Sequence, residues 1–189
     1  MSEAELHRRR EISRLLLKET GQEIITALLA LPGLSDAGDQ IEVELTDEGL
    51  RIRVMESKDS TFFNLGSADL APRGMAVFAT IARGLIDVDN EIIIEGYTDS
   101  HRFPTRDYTN WELASDRANT ARRVLELNGV DPKQIVQVRS FSDNKLRYPD
   151  RPEDPGNRRV TILVLNRYAI VRVVDLSERY LMAGRDSTS

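Results

Sequence analysis

Between Ile41 and Val54 apolar and polar residues alternate. Ile41, Val43 and Leu45 come first, Leu50, Ile52 and Val54 follow, and Asp47-Glu48-Gly49 breaks the run. Period-two alternation sends every second side chain to one face of an extended chain, so the two runs and their polar break predict a β-hairpin. Ahead of it, from Glu5 to Leu31, the spacing is helical. Leu6, Ile12, Leu16, Ile24, Leu28 and Leu31 lie near one face, Leu17, Ile25 and Leu29 broaden it, and Pro32-Gly33 ends it. So wide a stripe predicts burial on two sides, against the domain or a second copy of the chain.

Beyond the hairpin the periods keep switching. Pro72 suits a first helical turn, and Met75, Phe78, Ala79, Ala82 and Leu85 trace a helical face ending near Asp87. The unbroken apolar run in "EIIIEG" fits a strand covered on both faces. A helix begins at Asn110, carries Leu113, Arg117, Ala121, Val124 and Leu125, and stops at Asn128-Gly129. "IVQVRSF" reads as a strand and "SDNKLRYPDRPEDPG", with its prolines, as a long loop. "NRRVTILVLN" reads as the last strand, "RYAIVRVVDLSERYLM" as a closing helix and "AGRDSTS" as a disordered tail. The predicted class is α/β, in the α+β sense of helices packed over a mixed sheet, with an extra N-terminal helix. The expected divisions are an N-terminal helix at 1–33, one domain over 34–183 and the tail at 184–189.

Composition narrows the functional classes. The chain has 189 residues, 40% of them hydrophobic and 30% charged, which suits one domain with a full core. A net charge of -5 argues against nucleic acid as the main partner. Without cysteine there is no disulfide framework, thiolate metal site or cysteine nucleophile. The N-terminal stretch is too charged for a signal peptide or a spanning helix.

Polar chemistry concentrates between Glu95 and Leu125. Asp99, His101 and Asp107 could offer metal ligands, but the chain has two histidines, and the other lies in the basic run near the N-terminus. No metal or other cofactor is expected. A serine hydrolase would need a nucleophile on a sharp turn, and neither G-x-S-x-G nor a phosphate-cradling glycine loop occurs. Recognition remains. Asp99 follows a buried strand, where open sheets present ligand-binding loops, and Arg117 lies on the apolar edge of the next helix. An arginine so placed needs a carboxylate. It can pair with Asp99 itself, or both can face a zwitterion, Asp99 holding an ammonium and Arg117 forking onto a carboxylate. The residues alone leave both open.

The order of motifs resembles the OmpA-like peptidoglycan-binding family. They are Gly96-Tyr97-Thr98-Asp99 at a strand end, Asn110-Trp111-Glu112-Leu113-Ala114-Ser115-Asp116-Arg117-Ala118 on a helix, and Asn157-Arg158-Arg159-Val160 on the last strand. "FFNLGSADL" is similar to the family's loop ahead of the first motif, and the likeness runs from about Glu42 to Leu165. Within the family, "YTNWELASDRANTARRVL" resembles the MotB-type stator subunits of the flagellar motor. Ala114 departs from the usual serine, and the ion-conducting transmembrane helix of stator subunits has no counterpart here. The resemblance implies a periplasmic piece of an inner-membrane protein, with 1–33 as its connector. It implies no catalysis, and a domain that grips diaminopimelate in the peptidoglycan stem peptide. Asp99 would take the ammonium and Arg117 the carboxylate, with Asn110, Thr98, Asn64 and Arg158 completing the site. It further implies a homodimer and, in a full-length protein, a MotA-like membrane subunit as partner. An OmpA- or Pal-like envelope tether without a role in motility is the alternative, and a wall-cleaving amidase or muramidase a more distant one.

Overall fold

The structure is a computed structural model and describes residues 2–34, 38–102 and 105–168. Its elements are α1 (Glu3–Leu29), β1 (Ile41–Leu45), β2 (Gly49–Met55), α2 (Pro72–Leu85), β3 (Ile92–Tyr97), α3 (Asn110–Leu127), β4 (Ile135–Ser140) and β5 (Arg159–Leu165). Short 3₁₀ turns precede β4 and β5.

The hairpin forms in the register the alternation demands, with Leu45 opposite Leu50, Val43 opposite Ile52 and Ile41 opposite Val54. Gly49 closes the turn at φ 149, where a side chain would also run into the Val164 carbonyl. The five strands join in the order β1-β2-β5-β3-β4. Among the described residues only β3 and β4 pair in parallel, with α3 as their crossover, so the sheet is mixed. Strand β3 is buried along its whole length, as its apolar run requires.

One sheet face carries Leu50, Ile52, Val54, Ile92, Ile94, Val160, Ile162 and Val164, all essentially buried. Against it pack Val77, Phe78, Ile81 and Leu85 of α2 and Ala118, Ala121, Val124 and Leu125 of α3. Burying each of the larger side chains contributes roughly 1.5–3 kcal/mol. The buried face of α2 is centred on Val77, Phe78 and Ile81, which leaves Met75 in solvent. Helix α3 comes very close to β3. A Cβ on Gly96 would stand 1.9 Å from the Ala114 carbonyl oxygen, so a side chain there would push the helix off the strand.

Helix α1 departs from its expected stripe. Leu17, Gly21, Ile24 and Leu28 form its buried line, and Leu17, Ile24 and Leu28 join the core. Ile12, Leu16, Ile25 and Leu29 are exposed, as is Leu15. The apolar positions spread too far around the helix to meet one surface, and only its C-terminal half contributes to the buried core. Among the described residues, no helix is long and apolar enough to cross a membrane. From residue 169 onward, the expected closing helix and the tail lie outside the described residues.

Candidate functional site

The end of the sheet where β3 finishes and β5 begins holds a cleft of about 300 Å³. Its walls include Leu65, Gly66, Thr98, Asp99, His101, Arg102, Asn110, Leu113, Arg117 and Arg158. Five of the six expected site residues therefore converge. The sixth, Asn64, is exposed and stands outside the walls; its backbone closes the turn that carries Leu65 and Gly66, bonding Asp69 and Ser67.

Asp99 lies just past β3 and is only 4% exposed. Its Oδ1 accepts the His101 backbone N–H at 3.0 Å, and its Oδ2 faces Arg158 Nη1 at 2.6 Å and His101 Nδ1 at 3.2 Å. Asn110, in the first turn of α3, donates from Nδ2 to the Asp99 and His101 carbonyls at 3.2 and 2.9 Å. It braces the loop that presents Asp99. The start of α3 is fixed by its own sequence: Thr109 caps the helix and Glu112 returns the bond to the Thr109 N–H at 2.7 Å. Thr98 donates its backbone N–H to Ser142, while its buried hydroxyl has no partner.

Arg117 sits two turns into α3 and is buried. Its Nε donates to the Ser67 carbonyl at 2.9 Å and its guanidinium lies 5.0 Å from the centre of the Phe63 ring. Its Nη1 is buried with no partner. Burial pulls its pKa below the ordinary arginine value, against the opposing pull of Glu56 and Asp99. The simple alternative, in which Arg117 pairs with Asp99, is not what forms: Asp99 takes Arg158, and no ion pair joins it to Arg117.

Glu56 completes the electrostatics and was not among the expected residues. It is buried, accepts the Phe62 and Phe63 N–H groups at about 3.1 Å, and has its pKa raised by burial against the pull of Arg117 and Arg158. The sequence held the signal, since Glu56 continues the inward parity of Leu50, Ile52 and Val54. His101, weighed with Asp99 as a metal ligand in the sequence, stands beside it at 3.2 Å. Among the described residues no group of three His, Asp or Glu could hold a metal ion.

Arg117, which keeps a buried donor without a partner, and the buried Asp99 carboxylate line one open cleft, an arrangement suited to a polar ligand. A groove of similar size, about 330 Å³, between α1 and residues 89–90 and 167–168 lacks such convergence: Arg9, Ile12 and Asp89 on its walls are exposed. The comparisons with known proteins bear on the cleft. The model of the OmpA family matches residues 62–159, the stretch that contains all of the cleft residues named above.

The chain belongs to the OmpA family.

Motility protein B of Escherichia coli K12 is 34% identical over 168 residues, which cover 87% of this chain and 54% of that protein. The chain thus spans about half the length of the curated relatives it matches first. In three dimensions it is similar to the periplasmic domain of Helicobacter pylori MotB, with 23% identity and a TM-score of 0.59 over 82% of this chain and 96% of that one. It is similar also to a MotB-like protein from Desulfovibrio vulgaris, with 21% identity and a TM-score of 0.64 over 84% of this chain and 99% of that one. For an OmpA-family domain, the motifs at 96–99, 110–118 and 157–160 are the segments that build one cleft: β3 end, α3 start and β5 start.

Proposed function

We propose that this OmpA-family domain is a non-catalytic anchor that binds peptidoglycan and holds a MotB-type stator to the cell wall. In this reading the domain is periplasmic, works as a homodimer, and belongs to a protein whose membrane part meets a MotA-like subunit. The ligand is the free end of a diaminopimelate residue, which carries an ammonium and a carboxylate on one carbon. Asp99 receives the ammonium, and Arg117 receives the carboxylate through the Nη1 that has no protein partner. That orphaned donor carries the proposal, because leaving a buried charged donor unpaired costs about 1–3 kcal/mol or more, and a ligand carboxylate would remove the cost. Arg158 orders the Asp99 carboxylate, and Asn110 holds its loop. The relatives named for motility favour a stator over other wall tethers.

The test is co-sedimentation with diaminopimelate-type sacculi. The wild-type domain is expected to pellet, and Asp99→Ala and Arg117→Ala to stay in solution with unchanged circular dichroism. A folded wild type that stays in solution, or folded variants that pellet like it, would overturn the proposal.

A further inference from the structure

His101 stands where it can compete with a ligand. Its Nδ1 lies 3.2 Å from Asp99 Oδ2, and its Nε2 lies 3.6 Å from Glu153 Oε2. A neutral imidazole carries no charge, so only the imidazolium forms ion pairs with these two carboxylates. The loop around it is tied across the cleft rim by the Ser100 N–H, which donates to the Pro152 carbonyl at 3.0 Å. The two carboxylates are therefore held on either side of the ring. The groups facing it are Asp99 from the β3 loop, Glu153 from the loop ahead of β5, and Arg158, which shares Asp99 Oδ2. Arg102 and Arg117 line the same cleft.

We propose that His101 is a specificity-determining residue of this cleft: as an imidazolium it occupies Asp99 in place of a ligand ammonium, and as a neutral ring it gives the position up. This rests on the reading of the cleft as an ammonium-and-carboxylate site. Arg158 and a charged His101 together place two cations on one oxygen of Asp99, so a third cation finds little unspent charge. Loss of the His101 proton returns that charge to the ligand. Ligand binding and protonation of His101 then compete. Affinity is lower with the imidazole charged than with it neutral. The wall then holds the domain more tightly in a neutral than in an acidic periplasm.

The experiment is a calorimetric titration of the folded domain with free diaminopimelate at about pH 5.5 and about pH 7.5. Across that span the ligand's carboxylates stay ionised and its ammonium groups stay protonated, so its own charge is constant. Wild type is expected to bind on the order of two- to fivefold more weakly at the lower pH, the worth of one partly exposed ion pair. His101→Gln should bind at both values as wild type does at the higher one. His101→Lys, permanently charged, should bind at both values as wild type does at the lower one. Equal wild-type affinity at the two values, or a pH dependence that survives in His101→Gln, would overturn this proposal and leave the anchor reading intact. No binding by wild type or by His101→Gln at either pH would overturn both.

Discussion

Two clusters of acid and arginine lie along the same strand and have opposite characters. Glu95, within β3, is 3% exposed and fully engaged. Arg51 and Arg139 reach its two oxygens at 3.5 and 3.3 Å, and the Tyr97 hydroxyl donates to it at 2.9 Å. Tyr97 stacks on Phe141 at 4.9 Å, and the Arg159 guanidinium covers its other environment at 3.7 Å from the ring centre. Burial, with Glu95 adding to it, pushes the Tyr97 hydroxyl up to about 12, and burial brings Arg159 down to about 10. None of the buried unpartnered side-chain atoms among the described residues belongs to this cluster. Asp99, just beyond the end of the same strand, is as deeply placed, yet two of those unpartnered atoms, Thr98 Oγ1 and Arg117 Nη1, belong to residues that line its cleft. The composition of the two clusters is nearly the same. What sets the two clusters apart is whether their donors are spent, and whether a cleft adjoins them.

If that distinction holds, mutations in the two clusters should move different observables. The largest effect is expected for Arg117→Met, which keeps bulk and removes charge. Affinity for diaminopimelate peptides should fall by about 100-fold, corresponding to roughly 3 kcal/mol for one partner of a buried charge pair. Glu95→Ala should leave that affinity within about twofold. It should instead lower stability to urea by about 2–4 kcal/mol, because Arg51, Arg139 and Tyr97 lose a common buried partner. Should Glu95→Ala weaken binding as much as Arg117→Met does, the division between the clusters would fail. A smaller effect is expected at the exposed end of the outer network. Glu48 pairs with Arg51 at 2.8 Å but is 64% exposed, so Glu48→Ala should cost less than about 1 kcal/mol in the same urea measurement.

How much of this was legible beforehand follows the range of the interactions. The hairpin, β3 and α3 could be read because alternation, an apolar run and a helical face are local patterns, and Leu45 meets Leu50 as they require. Asp99 and Arg117 could be brought together from the residues alone, but Asn110, Thr98 and Arg158 joined them only through the family motifs, since 59 residues separate Asp99 from Arg158. What escaped was the pairing: Arg158, not Arg117, holds Asp99, because the β5 start is placed by sheet register, which no local pattern encodes. The α1 stripe failed for a related reason. Periodicity gives the apolar positions but not which of them a neighbour will cover, and the sheet and α2 cover only the Leu17–Leu28 side.

Glu56 gives the finest test of the comparison. Its carboxyl is buried beside two arginines, as Glu95 is, but burial outweighs the bonds from Phe62 and Phe63 and the pull of Arg117 and Arg158, and its pKa rises from the ordinary 4.5. A carboxyl whose folded pKa is raised binds its proton more tightly in the folded state, so its contribution to stability is present at low pH and declines as pH rises through the window above 4.5. Glu56→Gln cannot lose a proton and its amide oxygen can still accept from Phe62 and Phe63, so the stability of the variant relative to wild type should improve as pH rises through that window. Urea unfolding of both proteins across the mildly acidic range measures this, with an effect smaller than either substitution of Arg117 or Glu95. The opposite slope would mean that Arg117 and Arg158 hold Glu56 ionised and are spent in doing so. The cleft would then be a satisfied network like the one around Glu95, and the unpartnered Nη1 of Arg117 would no longer distinguish it.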